Sequence, residues 1–469
     1  MTYAQRLASF VAGVSYASLP EAISRSIRHH VLDTIGVSLA ALPLETSAGA
    51  IDVARAQGGT PQARAIGVED PLPASLAAFV NGVLAHSLDY DDTHLPSVHH
   101  PSAPVIPAAL AAAEVTGTGG KETMAAIAAG LEVCARLGMA GFDKYARASM
   151  YFDRGQHATS ICGAIAGAAT AAKLFGLGDE GIGHAIGIAV SMAAGVIEGN
   201  RAGGTVKRLH CGIAARSAVT AAELARAGFT GPPTALEGRF GFFQAFLGGR
   251  YNAPAIAEGL GRLWEIERIF FKPYPCNHFT HAAIDAAIAM RARGLRPDDI
   301  DEITIGVAGA TVRTIGEPIE RKRAPDTGYQ AQFSGPYAVT AAIFGGGGLG
   351  VGLDDFTDEL ARAPERRALM ARVSVVADKE CDAIFPSQFP AVLTVRLRNG
   401  GELIERVMVN RGGPQNPLSD EDIATKFRDN AARVLGSAEI DAIEENVARM
   451  DRLDDVGAIL RPAMHAKKE

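Results

Sequence analysis

The chain has 469 residues, 48% hydrophobic and 21% charged, with a formal net charge of -7. That length allows a sizeable core and two or three domains. The mild acidity argues against a nucleic-acid or membrane-surface partner, but not against a small anion held in a local basic pocket.

The opening MTYAQRLASF lacks the apolar run and small-residue cleavage site of a signal peptide. The weakly apolar stretch Ile186 to Ile197 is too short to span a bilayer. Cys134, Cys162, Cys211, Cys276 and Cys381 are odd in number and scattered, with no C-x-x-C. A disulfide framework or a cysteine-held metal is not expected, and a reducing, cytoplasmic compartment is.

Helical patterns fill the chain from Tyr3 to about Trp264. Pro20 to Ala40 puts Ile23, Ile27, Val31 and Ile35 on one face. Further helices are expected over Pro73 to Leu88, Ala103 to Thr116, Thr123 to Leu137, Thr159 to Phe175, Gly181 to Val196 and Gly212 to Ala227, the last closed by Gly228. Abundant Gly and Ala between about 105 and 230 allow close helix packing. No strand pattern is evident in this region.

Near residue 265 the pattern changes. Glu302 to Val307 alternates with period two, Val373 to Val376 is a second strand candidate, and Val392 to Leu397 and Leu403 to Val409 flank the hairpin signal Asn399-Gly400-Gly401. Helices are expected between them over His278 to Arg293, Gly335 to Phe344 and Asp355 to Ala363. After Asn416-Pro417-Leu418-Ser419 the chain turns helical again, with acidic residues at the helix start. The fold class expected is mainly α: a large discontinuous all-helical domain (1–267 and 405–469) and a smaller α+β lid domain (268–404). A short basic end, Lys467-Lys468, follows.

Four polar clusters carry the candidate chemistry. The first runs from His86 through Asp89, Asp91, Asp92, Thr93 and His94 to His99 and His100. Like charges so close raise one another's pKa, which suits a general base beside a hydroxyl or imidazole. A solvated loop with capping aspartates would look the same. A divalent metal would also use Asp and His, but these lack a recognisable ligand spacing.

The second cluster is Arg154 to Ser160, with His157 just ahead of a helix whose free amides favour an anion, or an ordinary cap with an incidental histidine. The third runs from Arg201 to His210; Lys207 and Arg208 lead into a helix at Gly212 and form a carboxylate or phosphate seat, without P-loop spacing. Lysine is rare, 10 beside 35 arginines, so Lys207 and Lys272 draw attention. The fourth cluster, Lys272 to His278, sits at the domain boundary, where ligand clefts tend to lie. There Lys272 reads equally as a surface charge, and Cys276 has no dedicated base. Together the clusters supply imidazoles, carboxylates and cations suited to proton transfer on an anionic substrate.

At these positions the chain resembles the MmgE/PrpD family, which includes 2-methylcitrate dehydratase, cis-aconitate decarboxylase and iminodisuccinate epimerase. The resemblance lies in HSLDYDDTH with HHPSAPVIPAAL, GQHATSICG, VKRLHCGIAA with GFTGPPTALEGRFGF, FKPYPCNHFTH and NPLSDEDIATKF, spanning about residues 20 to 435. It implies a homodimer, an active cleft between a helical domain and a lid, and chemistry without a metal or organic cofactor.

By the same resemblance the family's acidic motif falls on Asp89 and Thr93, its His-Pro on His100 (or His99 if shifted by one), its His-x-Thr on His157, and its lysines on Lys207 and Lys272. The lid tyrosine falls on Tyr337. The decarboxylase branch has histidine where this chain has Asn277, next to His278, which weakens that assignment. The expected catalytic set is therefore Asp89, Thr93, His100, His157 and Lys207, and the expected substrate contacts are Lys272, Arg208, His278 and Tyr337.

The reaction expected is elimination of water from a small polycarboxylate such as 2-methylcitrate. The lysines would bind carboxylates, Asp89 or His157 would take the α-proton, and His100, helped by Thr93, would protonate the leaving hydroxyl. Epimerisation and decarboxylation are the rival reactions, and a small-anion binding protein on the same fold is the non-enzymatic alternative.

Overall fold

Small residues decide how the helices of the first half approach one another. A computed structural model describes residues 1–146 and 148–466, without the side chains of Asn200 and Arg201, so the basic end Lys467-Lys468 lies outside it. The helices that position the site are α1 (Glu21–Ala41), α2 (Ala74–His86), α3 (Ser102–Thr116), α4 (Gly120–Ala140), α5 (Ala158–Leu174), α6 (Asp179–Met192) and α7 (Val206–Arg226).

α2 and α7 meet at two glycines. A Cβ on Gly82 would lie 2.8 Å from the Cys211 carbonyl oxygen, and one on Gly212 would lie 2.3 Å from Val83 Cγ2. α5 meets α7 in the same way at Gly167, where a Cβ would lie 2.8 Å from that of Ala218. Larger side chains at these points would force the helices apart.

The chain divides into two compact units, Met1–Ile269 with Asn430–Glu469, and Phe270–Asp429. The first is mainly helical; its short strands among the described residues include Thr93–His94 and the antiparallel pair Phe142–Asp143 and Ala148–Ser149, which the sequence pattern does not reveal. α4 is long and apolar enough by composition to cross a membrane, but it is a core helix here, with 94% of its apolar 18-residue window buried. It carries the buried pair Glu132 and Arg136, with Arg136 Nε donating to Glu132 Oε1 at 2.6 Å.

The second unit is built on a four-stranded sheet of β1 (Ile300–Val307), β2 (Val373–Ala377), β3 (Ala391–Leu397) and β4 (Glu402–Val407), in the order β2-β1-β3-β4. β1 runs parallel to β2, with Ile303 opposite Val373, and antiparallel to β3, with Ile303 opposite Val395. The β3–β4 hairpin turns at Asn399-Gly400-Gly401, where Gly400 takes φ +85° and the Asn399 side chain accepts from the Gly401 amide. α8 (His281–Ala292) and α9 (Gly335–Phe344) supply Ala283, Ala287, Ala338 and Ala342 to the same core as Ile303 and Ile305.

β4 runs past residue 404 to Val407, and the chain beyond it stays with this unit. The Asn410 side chain accepts from the Phe389 amide, and the Gly412 carbonyl accepts from the Phe271 amide. The helix expected over Asp355 to Ala363 is instead broken into short turns, with Thr357 capping Asp358–Arg362 and Pro364 opening the next.

Candidate active site

α2 ends at His86, and the acidic run follows in a loop that α3 closes. Asp89 holds a left-handed backbone at φ +53°, a conformation that Asp and Asn tolerate better than most residues. The carboxylates of the run do not share one site. Asp89 Oδ1 accepts from Lys207 Nζ at 3.1 Å, and Asp91 Oδ2 lies 2.7 Å from His86 Nδ1. Asp92 Oδ2 lies 2.8 Å from His30 Nδ1 on α1, while its other oxygen accepts from the Ser102 amide at the head of α3. Asp92 is thus a brace, and Asp89 and Asp91 belong to the polar cluster.

His100 sits among these groups. Its Nδ1 is 2.7 Å from the Asp92 carbonyl oxygen. A carbonyl only accepts, so Nδ1 carries the hydrogen and Nε2 is the ring atom left to exchange a proton. Nε2 lies 3.9 Å from Asp89 Oδ1, and Nδ1 lies 3.7 Å from Asp91 Oδ2. Thr93 Oγ1 is 3.5 Å from Nδ1, and the Thr159 hydroxyl accepts from the His100 amide at 3.1 Å.

His99 is placed elsewhere. It is fully buried, its Nδ1 is 3.7 Å from Cys134 Sγ, and it fills the space left by Gly138. Burial pushes its pKa down to about 3.

His157 is the residue that precedes α5, and its Nδ1 lies 3.0 Å from His210 Nδ1 on α7. Burial is the main reason that His157 lies well below the ordinary histidine pKa, with the charges of His86 and Lys207 adding to it. Burial first, and then the same two neighbours, lowers His210 to about 4. Both rings are therefore neutral at pH 7. The His86 ring lies between the His100 and His157 rings, with centroids 5.1 and 5.3 Å away.

One local expectation needs correction. Lys207 and Arg208 do not precede a helix that starts at Gly212; α7 already begins at Val206. Gly212 is the close-contact residue against α2 rather than a helix start. Lys207 and His210 are consequently one turn apart and share a face. Arg208 Nη1 donates to Thr46 Oγ1 at 3.2 Å.

The other expected contacts belong to the second unit. Lys272 is buried there. His278 packs its ring against Phe270, His281 and Phe389. Tyr337 lies in that unit's core, with its hydroxyl donating to the Asp355 carbonyl at 2.5 Å and accepting from Arg366 at 3.3 Å.

Site reasoning from sequence omits His86, Asp91 and His210 from the working set. His86 and Asp91 stand five positions apart across a helix end, and His210 is visible only as the residue one turn after Lys207. Among the described residues, His86, Asp91 and His100 also bring one donor atom each within 4.8 Å of one another, a mixed N/O set of the kind transition metals accept.

A second polar network supports the loop from beneath. His94 Nε2 lies 3.2 Å from Glu265 Oε2, and the Glu265 amide donates to Glu132 Oε2 at 2.7 Å. Because His94 and His99 are bridged backbone to backbone, this network holds Thr93 and His100 at the two ends of one braced turn.

Both halves of the chain match known domain families, the MmgE/PrpD N-terminal domain over residues 5–254 and the MmgE/PrpD C-terminal domain over 274–452. The chain belongs to the MmgE/PrpD family. It is 28% identical to cis-aconitate decarboxylase of Homo sapiens over 470 residues, covering 97% of this chain and 93% of that protein. It is 27% identical to the Mus musculus enzyme of the same name, covering 97% and 92%. The cis-aconitate decarboxylase of Aspergillus terreus is 27% identical over 414 residues, 85% of this chain and 82% of that protein.

Proposed function

We propose that the protein is a lyase that moves a proton next to a carboxylate of a small polycarboxylic acid, and that the reaction is elimination of water from a hydroxy acid of the 2-methylcitrate type. The observation that carries this reading is the association of three functional types in one cluster: a neutral buried base (His157), a cation (Lys207) and an imidazole flanked by carboxylates (His100).

In this mechanism the Lys207 ammonium leaves Asp89 to hold a substrate carboxylate. Its charge offsets the negative charge that builds as the α-proton departs. His157 accepts that proton, because a neutral imidazole has a lone pair to offer at pH 7. His100 delivers a proton from Nε2 to the leaving hydroxyl, with Asp89 and Asp91 facing the charge it carries. Thr93 orients it. Neither a metal nor an organic cofactor enters these steps.

Decarboxylation is the second reading, favoured by the names of the relatives matched over nearly the whole chain. Asn277, where that branch is expected to carry histidine, weighs against it. Incubation of the purified protein with 2-methylcitrate, citrate, cis-aconitate and iminodisuccinate in D2O, followed by NMR, separates the readings. An alkene from a hydroxy acid supports dehydration. Loss of CO2 from cis-aconitate replaces it with decarboxylation, and deuterium incorporation with inversion replaces it with epimerisation. No reaction with any of the four overturns the proposal.

A further inference from the structure

The contact between His157 and His210 joins two Nδ1 atoms 3.0 Å apart, and the hydrogen bonds of the described residues engage no other ring atom of either residue. A hydrogen bond between two imidazole nitrogens requires one to donate and the other to accept. The two rings therefore cannot both carry a hydrogen on Nδ1, nor can both leave Nδ1 bare, and their tautomers are tied to each other.

We infer that His210 is a positioning residue that fixes His157 as its Nδ1–H tautomer, so that the His157 Nε2 lone pair is the one offered to substrate. This rests on the role proposed above for His157. The backbone keeps the partners in register: the His157 amide donates to the Gly195 carbonyl at 3.0 Å, and Ser160, one turn into α5, donates to the His210 carbonyl at 3.1 Å. α7 thus meets the head of α5 through both the main chain and the side chain of His210.

The same bond serves after proton transfer. Once Nε2 of His157 has taken a proton, the ring is an imidazolium whose Nδ1–H still points at a neutral acceptor. A hydrogen bond from a charged donor is stronger than one between neutral groups. His210 therefore favours the product of the transfer over its starting state, and because it is itself neutral it adds no competing charge. Lys207, also close, cannot replace it, because an ammonium only donates, and His86 meets the His157 ring by ring contact, with no hydrogen bond between the two.

The test uses the full-length protein labelled with 15N-histidine. Two-bond 1H–15N correlation spectra at neutral pH distinguish Nδ1–H from Nε2–H tautomers, and His157 is assigned by its disappearance in His157→Gln. The expected result is Nδ1–H on His157 in the wild type and its loss in His210→Leu. In the same variant kcat is expected to fall about 10–100-fold with little change in KM, the usual effect of removing a partner that orients a functional histidine. His210→Asn, whose amide oxygen can stand where Nδ1 stood, is expected to return kcat to within several-fold of wild type.

An Nε2–H tautomer on wild-type His157, or an unchanged kcat in a folded His210→Leu protein, overturns the inference. The spectra of the wild type decide the tautomer even if none of the four acids is a substrate. Conversely, an Nδ1–H tautomer together with full activity in His157→Gln removes His157 from the reaction and leaves the tautomer pairing standing.

Discussion

Lys207 and Asp89, 118 positions apart in the chain, form an ion pair at 3.1 Å, and each side chain keeps about a quarter of its surface exposed. An ion pair in that setting contributes little to folding, roughly 0–1 kcal/mol, because water competes for both charges. In the mechanism proposed above, that weakness would let an incoming carboxylate displace Asp89 without dismantling the core.

Lys207→Ala is therefore expected to leave far-UV circular dichroism and the Tm close to wild type while lowering kcat/KM by about 100-fold or more, the cost of losing roughly 3 kcal/mol of transition-state stabilisation. Turnover near wild type in the folded variant would reduce Lys207 to a surface charge.

Asp92 should behave in the opposite way. It is buried and serves His30 and the head of α3. Asp92→Ala removes the acceptor of the Ser102 amide and the carboxylate beside the His30 ring, at about 1–3 kcal/mol for a buried group left unsatisfied. Urea unfolding should show a clearly lower midpoint. An unchanged midpoint would mean that water replaces the carboxylate.

The glycine crossing couples stability to the site. Gly212→Ala brings a methyl group to within 2.3 Å of Val83 Cγ2 and 2.6 Å of the Phe79 carbonyl oxygen. Overpacking of this kind costs about 1–3 kcal/mol. It also displaces α7, which carries Lys207 and His210, so activity should fall together with the midpoint. A variant that keeps both would show that α2 and α7 can separate locally.

Buried histidines should add an acid-sensitive contribution to stability. His99 is held at about 3 and His210 at about 4, and His157 lies well below its ordinary value of 6.5. The unfolded chain binds protons at these residues near pH 6.5 and the folded chain does not, so their contribution is complete above that pH and is lost as pH falls toward 4 and 3. Glu132 opposes them: burial raises it to about 7, so its protonation in the folded state favours folding at low pH and that benefit fades between about 4.5 and 7. Glu114, Glu223 and Asp285, raised by burial, act with Glu132, and His94, lowered by burial, acts with the three histidines. The test is therefore a difference: between pH 6.5 and 4 the Tm of His99→Gln, relative to its own value at pH 6.5, should fall less than that of the wild type, and an equal change in both would exclude His99 as a source.

Periodicity alone locates α1 to α5 to within a few residues, because their apolar faces repeat with the helical turn. It fails at α7, where a glycine needed for close packing imitates a helix boundary and hides the shared face of Lys207 and His210. The acidic run is conspicuous in sequence, but its division among α7, α2 and α1 is not. Each carboxylate's role depends on a partner that only tertiary packing supplies, and His30 offers no local clue that it is Asp92's partner. His210 has the same obstacle: its importance comes from a ring 53 positions away.

The left-handed backbone at Asp89 also sets the rules for redesigning this site. Most side chains at that position would add a backbone penalty to whatever they changed chemically, so a broad substitution library there would confuse loop distortion with loss of function. Asparagine is the exception, since it tolerates the same conformation and nearly the same shape while removing the charge. Asp89→Asn is thus the one replacement whose effect can be read as electrostatics, and a mutational map of the loop is best anchored on it.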